Sequence, residues 1–306
     1  MSEYLIKEYE PGMEEELVKV GTEVALKWVW PYQHSIEGLR NICSQPDFDP
    51  KLLLSCFKDG KLVGYILARI GYSSLIRPDL KEEDCVYARI FYPRVFPGYE
   101  KATDLLMERI ISALKEKGVN LVRVRVSTMR KGSVQYIEKL GFIQNQKYPL
   151  GYKLYYNYEL SKGKLERLTN KVEEFDKEMD LEECTNWIAE FFLISNEQAE
   201  KYILDISSRE DLVSHLVIRE NDELTGYSYA CPNNINEKII ASFYIEVKND
   251  ENFKELIIET INRSIEKNGE YFLVDVVYSV LRFEEAVKSL GLSKVATWGI
   301  YEKKLD

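Results

Sequence analysis

The chain has 306 residues, 45% of them apolar and 30% charged, which excludes a disordered polypeptide and suggests two domains, each able to bury a core. Five cysteines with no C-x-x-C pair and only two histidines exclude a disulfide framework and argue against a metal centre. No run approaches the roughly 18 uncharged apolar residues of a bilayer span, and MSEYLIKEYE lacks the apolar stretch of a secretory leader, so a cytoplasmic protein without a membrane partner is expected.

Charge is uneven along the chain. Residues 1–160 carry 23 basic and 21 acidic side chains, whereas 161–306 carry 18 and 30. An overall net charge of -10 has the wrong sign for nucleic acid. A phosphate-bearing ligand is favoured in the first half, and the acidic second half would attract a cationic acceptor.

In chain order, apolar periodicity predicts opening helices near 11–28 and 35–42, with Trp28 and Trp30 on or beside them as core residues or a substrate wall. Residues 52–69, LLLSCFKDGKLVGYILAR, read as a hairpin around a Lys-Asp-Gly-Lys turn. The loop YSSLIRPDLKEED follows, and then a strand through Ile90, Phe91 and Tyr92. Next comes a long helix over 102–117, stopped by Gly118. LVRVRV alternates Val122, Val124 and Val126 with Arg123 and Arg125, giving one apolar and one basic face. A short helix in SVQYIEKLGF and a strand in YKLYYNYEL close this half.

The same order then repeats. Helices at 179–193, which carries Trp187 as a core residue or substrate wall, and 196–206 precede a hairpin at 215–230, where L-T-G-Y echoes the L-V-G-Y of 62–65. FKELIIETINRSIEKNG, YFLVDVV, RFEEAVKSLGL and KVATWGIYEKK supply helix, strand, helix and strand. The reading is an α+β, or mixed α/β, protein with two similar domains at 1–160 and 172–306. The polar segment 161–171 is the junction. Each domain has a mostly antiparallel twisted sheet flanked by helices.

This order of elements, with the ending Y-I-E-K-L-G-F at 136–142, resembles the GCN5-related N-acetyltransferase (GNAT) superfamily. Read as two copies, it is similar to tandem members such as mycothiol synthases. The resemblance implies acetyl-CoA as co-substrate, its pyrophosphate cradled where a strand passes into the long helix. The family pattern Gln/Arg-x-x-Gly-x-Gly/Ala falls on Pro97, Gly98, Tyr99, Glu100, Lys101 and Ala102, of which Ala102 matches well. Pro97 replaces the usual Gln or Arg, and Glu100 replaces the central Gly.

Arg94 and Lys101 would add positive charge near the phosphates, and backbone N–H groups around Ile90, Phe91 and Tyr92 would polarise the thioester. The family's acidic tyrosine falls on Ile137 and, in the second copy, on Val287. Tyr136 is adjacent but turned by about 100°. Glu83 or Asp84 could serve as base, and His34 could touch the acceptor. The corresponding loop of the second copy, EVKNDENFKELI, has no glycine and places Asp250, Glu251 and Glu255 near the helix start, which disfavours a phosphate.

The implied activity is acetyl transfer by direct attack from an amine of a small molecule or peptide. The alternative is a catalytically inactive protein of the same fold, a binding or scaffold module.

Overall fold

A computed structural model describes residues 3–28, 31–71, 86–144, 152–169, 171–192, 194–277 and 283–305. Trp30, the loop YSSLIRPDLKEED and, within it, Glu83 and Asp84 lie outside these residues. The chain forms two compact units, one of residues 1–151 with 298–306, the other of residues 152–297. No described helix is long and apolar enough to cross a membrane.

The first unit opens with β1 (Tyr4–Glu8), α1 (Glu14–Ala25) and α2 (Ile36–Cys43). Ser35 caps α2 by accepting the Gly38 amide at 3.0 Å, which satisfies one orphan donor of the first turn. The hairpin β2 (Leu53–Lys58) and β3 (Lys61–Ile70) turns through Asp59 and Gly60, both at positive φ, as a two-residue loop with Gly permits. Then come β4 (Tyr87–Val95), α3 (Glu100–Glu116), β5 (Leu121–Ser127), α4 (Ser133–Lys139) and the two-residue β6 (Ile143–Gln144).

In this sheet β1, β2, β3 and β4 pair antiparallel in that order, and β4 and β5 are parallel. Helix α3 covers one face. Its Ala102, Leu106, Met107, Ile110, Ala113 and Leu114 are buried in a core with Ala88, Ile90, Val122, Val124 and Val126. Helix α1 covers the other face, burying Leu17, Val20 and Val24 with Leu53, Tyr65 and Leu67. The alternation of LVRVRV is half realised. The valines are in the α3 core as expected, but Arg123 on the opposite face is also buried, paired with Glu302.

The second unit contains β7 (Tyr152–Glu159), β8 (Val172–Glu174), α5 (Lys177–Phe192), α6 (Asn196–Ser207), β9 (Ser214–Glu220), β10 (Glu223–Pro232), β11 (Ile239–Val247), α7 (Asp250–Glu266), β12 (Tyr271–Val277) and α8 (Glu284–Ser289). Its strands repeat the pattern. β8, β9, β10 and β11 are antiparallel neighbours, and β11 and β12 are parallel.

The closing strands differ from the sequence reading. β7, expected to end the first half, pairs with β12 from Tyr271↔Glu159 to Val277↔Lys153. The chain's last strand, β13 (Ser293–Lys304), places Trp298–Lys304 against Ser127–Leu121 of β5. The final strand therefore completes the first unit, and the strand after the first Leu-Gly-Phe completes the second. Both unit boundaries shift from the sequence-order division for this reason. A strand's alternation specifies which face is apolar but not which neighbour receives its backbone hydrogen bonds.

Candidate functional site

The site in the first unit begins with an interruption in strand pairing. The parallel ladder between β4 and β5 runs from Tyr87↔Leu121 to Phe91↔Arg125 and stops, although both strands continue. On its other side β4 has an extra residue. Leu67 faces Phe91 and Tyr65 faces Arg94, leaving Tyr92 and Pro93 opposite a single residue. Proline has no N–H for a ladder and favours such a bulge. Ile90 and Phe91 thus lie inside the ladder, and Tyr92 is the first residue beyond it.

Around the bulge, side chains go to different faces. Tyr92 packs with the α3 core, whereas Arg94 turns to α1, its Nη1 donating to the Gly21 carbonyl at 3.2 Å. The bare Gly21 Cα leaves room for Gln33 and Tyr65 beside α1. A Cβ there would lie 2.4 Å from Gln33 Oε1 and 2.6 Å from the Tyr65 hydroxyl, and those two groups hydrogen-bond to each other at 3.0 Å.

The turn after β5 returns Arg130 to the same region. Ser127 Oγ accepts the Met129 amide at 3.2 Å, and Ser133 Oγ donates to the Ser127 carbonyl at 2.8 Å, which holds the turn closed. The Arg130 guanidinium carbon lies 4.0 Å from the Trp28 ring centroid and 4.9 Å from that of Tyr92, and the Arg94 guanidinium carbon lies 5.0 Å from Trp28. These are cation–π distances. Burial, then the neighbouring cation Arg94, lowers the Arg130 pKa. His34 is held below the ordinary imidazole range by burial and by Arg94, so its ring is neutral at pH 7.

Tyr136 reaches this cluster from α4. Its ring meets Tyr92 edge to face at 6.4 Å. Burial and the adjacent Asp104 of α3 keep its phenol well above the ordinary range, so it is protonated at neutral pH. Ile137, one residue on, is fully buried in the core.

The tip of α3 is polar and exposed. Gly98, at φ 90°, precedes Tyr99, whose side chain makes no capping bond. Glu100 Oε1 accepts the Gly98 amide at 3.0 Å. Its own amide and that of Gly98 hold the carboxylate below its usual pKa, as unpaired amides at a helix start favour an anion. Lys101 Nζ is 5.7 Å from the Tyr4 ring, with Lys58 Nζ 5.3 Å from Tyr4 and 5.4 Å from Tyr99. Ala102 is buried beneath the first turn.

The structure thus gathers Gly98, Tyr99, Glu100, Lys101 and Ala102 at one place, joined by Lys58. Arg94 is not among them and turns to the α1 side, meeting over the Trp28 ring an Arg130 that also lies against Tyr92. The sequence reading did not single out Arg130, Asp104 or Lys58. A basic residue in a turn carries no local mark of burial, so only Trp28 and Tyr92 reveal where Arg130 goes.

In the second unit the equivalent ladder, Ile239↔Tyr271 to Ser242↔Val274, also stops before its strands end. Asn249 closes the start of α7 by accepting the Asn252 amide at 2.8 Å. Asn252 in turn donates to Thr225 Oγ1 at 2.9 Å. The α5–α6 face is filled by rings: Phe191 and Tyr244 lie 5.0 Å apart, and Phe192 and Tyr202 lie 5.6 Å apart. Val287 is fully buried.

The whole arrangement matches solved structures. The chain superposes over 98% of its length on a GCN5-related N-acetyltransferase from Sphaerobacter thermophilus, covering 95% of that chain with a TM-score of 0.65 at 11% identity. The fold is that of the GCN5-related N-acetyltransferases. A GNAT-family acetyltransferase from Colwellia psychrerythraea is similar over 98% of this chain and all of its own, with a TM-score of 0.62 at 12% identity. A tandem GNAT protein from the clavulanic acid biosynthesis pathway is similar over 99% of this chain and 98% of its own, with a TM-score of 0.64 at 10% identity. No family model matches the sequence, and no curated protein matches it.

Acetyl-CoA is the ligand that the sequence resemblance implies, and the α3 tip has features that would suit its pyrophosphate. The α3 tip already holds an anionic oxygen, two lysines stand near it, and the carboxylate that occupies it belongs to an exposed side chain able to rotate away.

Proposed function

We propose that the first unit is an N-acyltransferase that moves an acetyl group from acetyl-CoA to an amine of a small molecule or peptide. One observation carries this reading: β4 and β5 stop pairing at Phe91↔Arg125, and a protonated tyrosine stands beside the gap next to an anion-holding helix tip. On this reading the chain is a tandem arrangement of two GNAT-type units, and the second, with its capped helix and ring-filled face, supports the first.

When bound, acetyl-CoA supplies an activated thioester. The amides of Gly98 and Glu100, with Lys101 and Lys58, would hold its phosphate oxygens at the α3 tip. Tyr92 and the residues after it are outside the β5 ladder, so that side of β4 is available to orient the acyl group. Tyr136 keeps its proton at neutral pH and can offer its hydroxyl as a hydrogen-bond donor to a departing thiolate, which leaves with a proton taken from the acceptor amine. His34, neutral at that pH, can accept a proton from the acceptor's ammonium group, which frees the amine lone pair to attack the thioester.

A second reading has a specific observation in its favour. The Glu100 carboxylate sits on the Gly98 amide, which is how a surface helix cap looks in a binding or scaffold protein that has lost catalysis. Calorimetric titration with acetyl-CoA, followed by thiol release across an amine panel, separates the two. The transferase reading expects one site per chain and turnover reduced in Tyr136→Phe. Absence of binding removes it, and binding without turnover leaves the scaffold.

A further inference from the structure

Among the described residues, Arg94 and Arg130 have no acidic partner. Arg94 uses one donor on the Gly21 carbonyl. Arg130 Nη1 has no hydrogen-bond partner and no access to solvent. No carboxylate of the described residues pairs with either group, and the two guanidinium carbons both lie within 5.0 Å of the Trp28 ring centroid. Each cation raises the cost of desolvating the other, and the described residues supply no counter-charge. The faces of Trp28 and Tyr92 offset part of that cost but leave the N–H groups unsatisfied. Two planar forks of donors in a water-poor setting are suited to carboxylate or phosphate oxygens.

We propose that Arg94 and Arg130 form a receptor for an anionic group of carboxylate or phosphate type. On the transferase reading above, that group belongs to the amine acceptor. The position agrees with this role. The bulge at Tyr92 and Pro93 sends Arg94 to the α1 face, away from the α3 core and the helix tip. The anion site is therefore separate from the pyrophosphate site and stands where β4 and β5 have stopped pairing. A polyamine or aminoglycoside would be repelled there, so the acceptor is an acidic or zwitterionic amine rather than the cation expected from net charge.

His34 reports on occupancy. Arg94 and burial depress it, and the Tyr32 hydroxyl is 3.2 Å from its Nδ1. An anion docked on Arg94 cancels part of the repulsion and raises the His34 pKa. The test is an NMR titration of the ring protons of both histidines in the full chain without acetyl-CoA. Sodium phosphate and sodium succinate are compared with sodium chloride at matched ionic strength.

One of the two polyanions is expected to raise the His34 pKa and leave His215 unmoved, and which one does so tells phosphate from carboxylate. Arg130→Met is expected to weaken that binding about tenfold or more and to melt at a higher temperature than the parent in chloride. Lys101→Ala, at the helix tip, is expected to leave the His34 response intact. The proposal is overturned if neither anion moves His34, or if Arg130→Met keeps the response while lowering the melting temperature. Because acetyl-CoA is absent from the assay, anion binding in a protein that proves unable to transfer acetyl groups leaves this site standing and removes only its assignment to an acceptor.

Discussion

The Gly98 amide donates to the Glu100 carboxylate at 3.0 Å, so the start of α3 carries an anion supplied by its own first turn. Any phosphate arriving there competes with a tethered, exposed carboxylate. Replacing it with Ala is expected to lower the acetyl-CoA dissociation constant roughly two- to fivefold, the size of a surface charge effect at a helix end. Calorimetry in low and high salt checks this, and the gain should shrink as salt rises. An unchanged constant would mean that the ligand's phosphates do not visit this tip.

Gly21 lies in the interior of α1 where a methyl group has no room, with Gln33 Oε1 at 2.4 Å and the Tyr65 hydroxyl at 2.6 Å from the added carbon. Gly21→Ala would ordinarily favour a helix. Here it should destabilise the first unit by about 1–3 kcal/mol, as overpacking does, by parting Gln33 from Tyr65. Urea unfolding of the variant measures the sign, and a gain in stability would contradict the packing described.

His215 is buried, stacked on Phe175 at 4.1 Å between centroids, with Nε2 2.9 Å from the Tyr227 hydroxyl. Burial pushes its pKa down to about 4. The unfolded chain binds a proton near 6.5 that the folded chain refuses until about 4, so stability is full above pH 6.5 and is lost as pH falls between those values. The loss is about 3 kcal/mol. A denaturation series from pH 7 to 4 should show this slope for the parent and a flatter one for His215→Phe.

Glu302 on the last strand pairs with Arg123 on β5, and both are largely buried. Glu302→Ala removes that counter-charge and should cost about 3 kcal/mol. Hydrogen exchange should quicken in β5 and β13 while β12 is unaffected, because Arg123 and Glu302 lie in the same unit. Equal loosening of β5 and β12 would contradict the pairing.

Local chemistry made much of the fold legible. The apolar periodicity of 102–117 and its Gly118 stop correspond to α3, and the Lys-Asp-Gly-Lys turn corresponds to the β2–β3 hairpin. The Leu-Gly-apolar endings mark α4 and α8. The site was less legible. Gly98 to Ala102 could be located, because a strand-to-helix junction is written in consecutive residues. Nearness in sequence puts Arg94 beside the phosphates, whereas the bulge at Tyr92 and Pro93 turns it to α1. Arg130 is 36 positions from Arg94 along the chain, and their proximity depends on two strands and a helix being in place.

By itself the sequence determined the kinds and order of elements, their repetition, and the faces they bury, since each follows from backbone preference and the periodicity of neighbouring side chains. Only the tertiary structure decided that Tyr152–Glu159 pairs with β12 and that Trp298–Lys304 pairs with β5, and that two arginines meet over one tryptophan. Both closing strands offer the same N–H and C=O groups to any open sheet edge. Which edge each one meets depends on contacts between distant residues, and no stretch of chain states these alone.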